Sequence, residues 1–172
     1  MVAKIINITA RVFQFIWTIL IMALVGNMIA TAFSGNPSGV NYAMFVSAFS
    51  MLSLFYLIPA SFIDAVVIHP LIMVVLDVLN AIFFLCGGID LAARLHVHSC
   101  GNKAYTHSNS ITDGSYNTGK RCHEAQAVTA FLWFGFAAYC ISAVVSGFAS
   151  KGGPTNLRSG GIRRGPPAMS QV

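Results

Sequence analysis

Asp77 and Asn80 stand one helical turn apart inside the long apolar run from Pro70 to Ala93. An ionised carboxylate at such a place is unfavourable by several kcal/mol unless it is solvated or paired. No Lys or Arg is expected at the same depth, so Asp77 reads as protonated, or as held by hydroxyl and amide donors. Counting rises from the ends of the apolar runs puts Thr18, Tyr56 and Ser142 level with it. The expectation is an intramembrane polar cluster of Asp77, Asn80, Tyr56, Thr18 and Ser142. Its chemistry would be either hydrogen-bonded fastening of helices or contact with an ion or a lipid headgroup. Asp90 is a lesser case, near a span end and four residues before Arg94, with which it can pair.

A second group lies in one loop, where His96, His98 and Cys100 alternate, His107 follows, and Cys122 and His123 close the segment. Alternation aims three potential ligands to one side of an extended strand, which could begin a zinc site. Structural zinc sites repeat a short ligand spacing at both ends, and this one does not. The competing reading is a Cys100–Cys122 disulfide flanked by solvated histidines. Such a bridge would lower the unfolded chain's loop-closure freedom by roughly 3 kcal/mol and requires an oxidising compartment.

Neither group suggests an enzyme. The histidines fall at or beyond helix ends while Asp77 is deep, so Ser, His and Asp have no shared water-accessible pocket. The chain has no Gly-rich phosphate loop, no HExxH helix and no CxxC pair. A proton-carrying rotor would want an acid in the middle of the fourth span, but Glu124 stands only at its mouth. Transporters usually show interrupted helices or internal repeats, and the two halves of this chain show no clear repeat.

What must position these residues is a set of helices. Four stretches of about 22 to 24 residues, Val12 to Phe33, Asn41 to Ile63, Pro70 to Ala93 and Ala125 to Phe148, carry Lys or Arg at most at their outermost ends. Each exceeds the roughly 20 residues that a bilayer-spanning helix needs. The composition, 56% hydrophobic and 9% charged with a mean hydropathy of +0.71, would leave a soluble domain too little polar surface. The fold class is therefore all-α integral membrane, an antiparallel four-helix transmembrane bundle, because short links force consecutive helices to run antiparallel. The chain divides into a cytosolic N-terminal segment (1–11), a four-span domain (12–148) with an outer loop (94–124), and a disordered basic cytosolic tail (149–172). Lys4 and Arg11 before the first run, and Ala30-Thr31-Ala32 after it, resemble a signal peptide. The apolar core is longer than a signal peptide's, so the helix reads as retained.

Small residues line one side of two spans: Ala43, Ser47 and Ser50 in the second, Gly135, Ala138, Ser142 and Ser146 in the fourth. Small side chains let helix backbones approach closely where lipid removes any hydrophobic drive between helices. These stripes are expected to be bundle seams. The opposite stripes, Phe45, Phe49, Leu52 and Tyr56, and Trp133, Phe136, Cys140 and Val144, would face lipid or another copy of the chain. Pro59 should kink or end the second span.

Orientation follows from basic residues. Lys4, Arg11, Lys151, Arg158, Arg163 and Arg164 outnumber Arg94, Lys103, Lys120 and Arg121, which puts both termini in the cytosol. From Ser150 onward Gly, Pro and Ser replace the apolar pattern, and Lys151, Arg158, Arg163 and Arg164 can hold that tail to the anionic inner leaflet. The net charge of +5 is explained this way, and nucleic-acid binding is excluded as its reading. Ser150 and Ser159 beside basic residues are candidate phosphorylation positions. The sequon Asn7-Ile8-Thr9 would be cytosolic and hence unglycosylated.

Several motifs in order point to a family. They are Val40-Asn41-Tyr42 with Met44-Phe45, Leu76-Asp77 with Leu79-Asn80, His98-Ser99-Cys100, Ser108-Asn109 with Ile111-Thr112, Arg121-Cys122 with Ala125-Gln126-Ala127, and the terminal Ser170-Gln171-Val172. Through them the chain resembles the fungal MARVEL-domain proteins of the non-classical export protein 2 family. That resemblance implies an M-shaped bundle with cytosolic termini and a bridged outer loop, in the plasma membrane. It implies no catalysis and no cofactor other than bound membrane lipids. It further implies a role in organising eisosome and furrow microdomains, with sphingolipid or sterol, further copies of the chain and cytosolic eisosome proteins as partners. The rival reading is a small channel or transporter in which Asp77, Asn80 and Asn27 line a polar path.

Overall fold

The computed structural model describes residues 2–33, 35–96 and 98–152. Among them are five α-helices, α1 (Val2–Ala30), α2 (Ser38–Phe62), α3 (Pro70–Leu95), α4 (Lys103–Ser108) and α5 (Thr118–Gly152), a 3-10 turn over Asp64–Val66, and no strand. All but α4 contain a segment long and apolar enough to cross a membrane. The chain is therefore built as an all-helical four-helix bundle, with the start of α1 and the end of α5 at one end and the long α3–α5 connection at the other.

The spans differ at their edges from the expected bounds. The first helix starts at Val2 rather than residue 12, and the fourth begins at Thr118 rather than residue 125. Polarity ended both runs in the sequence. In the structure, Arg11 and Arg121 are only 1% exposed, because each turns its charge inward to partners that continue the helix past the apolar stretch. The segment expected as a cytosolic lead of residues 1–11 is thus mostly helix, and part of the expected outer loop is α4 and the first turns of α5.

Local chemistry accounts for the other ends. Pro70 occupies the first turn of α3, where its missing N–H is not needed, and His69 Nδ1 accepts from the Leu71 amide at 3.2 Å. His96 closes α3 in the left-handed region (φ 47°), the conformation that commonly ends a helix. Asn102 caps α4. Pro59 lies inside α2, which stops three residues later, as expected of a proline that cannot continue the hydrogen-bond ladder.

The four spans form a ring in which α1 touches α2 and α5, and α3 touches the same two. No Cα of α1 comes within 8 Å of one in α3 among the described residues, nor of α2 and α5. Both pairs face each other across the diagonals of the ring. Close sides are made by small residues. A Cβ at Gly135 would overlap the Phe84 ring of α3, and one at Gly39 would overlap the Asp90 carboxylate. Asp90 in turn accepts from Arg94 Nε at 2.8 Å, the expected pairing.

Ala43, Ser47, Ser50, Gly135, Ala138 and Ser142 are buried and Ser146 is half-buried, so the expected seams face the bundle. Phe45, Leu52, Trp133 and Val144 are exposed on the outside, and Phe49, Tyr56, Phe136 and Cys140 are half-buried. Phe45, Phe49 and Phe83 interlock edge to face between α2 and α3.

Candidate functional site

Asp77 projects from α3 toward α1 and is fully buried. The partner it finds is a cation. Arg11 Nη1 and Nη2 donate to Asp77 Oδ1 and Oδ2, the second at 2.8 Å, in a two-pronged pair. Helices α1 and α3 are diagonal, and the long arginine side chain spans the gap between them. The expectation that no basic residue reaches this depth is overturned. Arg11 sits at the edge of its apolar run, but the run is only part of a helix that begins nine residues earlier at Val2, and its guanidinium bends into the core.

Gln14, one turn on, completes the layer. Its Oε1 accepts from Arg11 Nη1 at 2.9 Å, while Nε2 donates to Ser142 Oγ at 2.8 Å and to the Ala138 carbonyl at 3.1 Å. Asp77 of α3, Arg11 and Gln14 of α1 and Ser142 of α5 are thus one hydrogen-bonded unit. Nearer the same end, Asn7 Nδ2 donates to Ser146 Oγ at 3.4 Å.

A second polar layer crosses the other diagonal. Ser50 Oγ of α2 shares hydrogen bonds with Tyr139 OH of α5 at 2.6 Å and with Thr18 Oγ1 of α1 at 2.7 Å. Of the five residues expected in one cluster, Asp77 and Ser142 belong to the first layer and Thr18 to the second. The remaining two do not join. Asn80 Nδ2 donates to the Leu76 carbonyl of its own helix at 2.8 Å, and Tyr56 packs beside a separate apolar cluster of Leu57, Ala60 and Met73. Neither the Asn80 Oδ1 nor the Tyr56 hydroxyl has a hydrogen-bond partner among the described residues.

Sequence reasoning missed Arg11, Gln14 and Tyr139 as members. A signal existed for the first two. Asn7, Arg11, Gln14 and Thr18 recur at helical spacing, an inward polar stripe on an otherwise apolar helix.

Beyond the second layer the bundle interior becomes dry. Ile21, Val25, Val46, Phe84, Val128 and Leu132, each 0–1% exposed, fill it before polar groups return at the loop end. There Arg121 donates to the Ile111 carbonyl (2.8 Å), the Met28 carbonyl (2.6 Å) and Asn36 Oδ1 (3.3 Å), and Asn27 Nδ2 donates to Glu124 Oε1 at 2.5 Å. Gly114 lies flat on the Arg121 guanidinium, which a Cβ would approach to 3.3 Å.

Cys100 and Cys122 are joined in a disulfide with their Cα atoms 5.6 Å apart. Both thiols of the zinc alternative are therefore committed to a covalent bond. Its histidines have other neighbours: the His98 ring packs tilted against Tyr105 with centroids 4.7 Å apart, and His107 lies 4.0 Å from Asp113. Tyr105 also ties the loop to α3 by donating to the Leu95 carbonyl at 2.5 Å, and burial pushes its phenol above the ordinary value.

Comparison with known proteins bears on this architecture. The membrane-associating MARVEL domain matches residues 4–145, nearly the whole bundle. The chain belongs to the MARVEL family. Its MARVEL-domain relatives include non-classical export protein 2 of Saccharomyces cerevisiae, 34% identical with 94% of this chain and 95% of that protein covered. Non-classical export protein 102 of Candida albicans is 37% identical over 96% and 97% of the two chains. The Schizosaccharomyces pombe homologue of non-classical export protein 2 is 31% identical over 85% and 79%. These matches make the chain a member of the non-classical export protein 2 group of MARVEL proteins. None of these names describes an enzyme, and no solved structure matches the chain. Of the four basic residues expected at the inner leaflet, the Lys151 side chain and all of Arg158, Arg163 and Arg164 lie outside the described residues.

Proposed function

We propose that this MARVEL protein organises lipid microdomains of the plasma membrane, of the eisosome or furrow type, with its termini in the cytosol. The supporting observation is where the bundle keeps its polarity. The Arg11–Asp77 pair and the Gln14, Ser142, Thr18, Ser50 and Tyr139 groups are hydrogen-bonded inside, and the outer faces carry Phe13, Phe45, Leu52, Phe55, Trp133 and Phe134, all exposed. A sealed bundle with a bulky apolar surface acts on its surroundings through lipid packing and through contacts with further copies. Several copies side by side multiply a weak lipid preference into a strong one. Sphingolipid- or sterol-rich membrane is the preferred environment, and the basic tail is the element that engages the inner leaflet or cytosolic eisosome proteins.

The channel or transporter reading loses ground on two features: Asp77 is ion-paired with Arg11, and the apolar layer from Ile21 to Val128 interrupts any path toward Asn27. No catalytic role is proposed.

The full-length protein, fluorescently labelled and reconstituted into phase-separated giant vesicles, tests the proposal. Clustering in the sphingolipid- and sterol-rich phase is the expected outcome. Monomers spread evenly over both phases and indifferent to curvature would refute it. Removal of residues 150–172 should leave the phase preference intact and abolish recruitment of cytosolic partners. Solute flux that disappears on Asp77→Asn would establish the channel instead.

A further inference from the structure

At the loop end, a cavity of about 490 Å³ opens between the end of α1 and the start of α5. Its walls are Thr31, Phe33, Tyr116, Asn117, Lys120 and Glu124. Helix α1 stops at Ala30, and the apolar stretch of α5 begins only after Glu124, so the cavity lies at headgroup level on the loop side. Its frame is fixed. The Phe33 amide donates to the Gly114 carbonyl at 3.1 Å, Asn117 Oδ1 accepts from the Lys120 amide at 3.0 Å, and buried Arg121 pins the helix end beneath.

The chemistry of the walls is mixed in a particular way. Tyr116 is 93% exposed and lies against Phe33 with ring centroids 5.0 Å apart, so two flat aromatic faces form one lip. Lys120 stands opposite, its ammonium mostly exposed and 3.6 Å from Glu124 Oε1. Lys120 and Arg121 against Glu124 leave one formal positive charge. A zwitterionic headgroup would leave that charge unmatched, whereas one phosphodiester balances it. Beyond the phosphate, the aromatic lip suits the C–H face of a ring, and the Asn117 amide, Thr31 hydroxyl and Glu124 carboxylate offer partners for hydroxyl groups.

We propose that this cavity binds the headgroup of a loop-side lipid, an anionic phosphodiester bearing a polyhydroxyl ring, with Lys120 on the phosphate and Tyr116 and Phe33 on the ring. The assignment deepens the microdomain reading and rests on it, by giving lipid preference a site in the outer part of the bundle.

The test is lipid retention by the full-length protein in nanodiscs, read by native mass spectrometry, with phosphatidylcholine as background and phosphatidylinositol or phosphatidylglycerol as probes. Phosphatidylinositol should be retained about tenfold over phosphatidylcholine, equal to about 1.4 kcal/mol. Lys120→Gln should reduce retention of both anionic lipids, and Tyr116→Ala that of phosphatidylinositol alone. Both positions are exposed, and unchanged melting of each variant checks that folding is intact. Equal retention of phosphatidylcholine, or variants that bind like the wild type, would overturn the site. Complete displacement by soluble inositol phosphate would assign the cavity to a free solute and overturn the lipid. A vesicle assay showing phase preference without this retention sinks the site and spares the microdomain reading. Retention without phase preference does the reverse.

Discussion

Arg11 and Asp77 are opposite charges on helices that do not otherwise meet, and that geometry fixes what their removal should do. Two charges withdrawn from water repay their desolvation only while they face each other. Asp77→Leu strands a buried guanidinium with Gln14 as its remaining side-chain partner among the described residues, so a loss of about 3 to 5 kcal/mol is expected. Thermal unfolding in detergent or nanodiscs reads it directly. The double change Arg11→Met with Asp77→Leu should restore most of that loss, because no charge is left behind. If Asp77→Leu alone melts like the wild type, the pair is not what holds the diagonal. At this scale the sequence was half legible. A carboxylate in an apolar run announces that it needs a partner, but an arginine at the edge of such a run looks like a topology anchor. Nothing local distinguishes a guanidinium that reaches water from one that bends inward, except the helical recurrence of Asn7, Arg11, Gln14 and Thr18.

Helices were legible where apolar length defined them and blurred where polarity entered. The seams were readable because small residues at helical spacing have few other uses in a membrane. The partner of each seam was not, since spacing along one helix says nothing about which neighbour covers it. Gly135 shows the consequence: its missing side chain is the space that the buried Phe84 ring occupies. Gly135→Ala should therefore lower stability by about 1 to 3 kcal/mol through overpacking. Gly26, also helical but with no atom within 4 Å of its would-be Cβ, is the control. Gly26→Ala should leave stability unchanged or raise it by about 0.5 to 1 kcal/mol, because alanine is the better helix former. Unfolding midpoints moving in the same direction for both would contradict the α3–α5 seam.

For the whole molecule, the decisive element is the α3–α5 loop, which with Arg121 ties α3, α5, the end of α1 and the α1–α2 connection together. The Cys100–Cys122 bridge was readable from cysteine placement, while the clamp made by Arg121 was hidden as one more basic residue near a span end. The two act differently. The disulfide limits the unfolded chain, so Cys100→Ser with Cys122→Ser should lower stability by roughly 3 kcal/mol on a chain-entropy estimate. The loop should stay docked, since Tyr105 OH still donates to the Leu95 carbonyl, Asn109 Nδ2 to the Arg94 carbonyl and Thr112 Oγ1 to the Thr106 carbonyl. Arg121→Leu acts on the folded state instead. It removes the donor to the two carbonyls, whose hydrogen bonds are buried, and to Asn36, at about 1 to 3 kcal/mol for each buried acceptor left unsatisfied. Limited proteolysis from the loop side separates these effects: the serine pair should stay resistant at a reduced melting temperature, whereas Arg121→Leu should be cut between residues 97 and 117 well below its melting temperature. The reverse pattern would mean that the covalent bridge, rather than the buried guanidinium, seats the loop on the bundle.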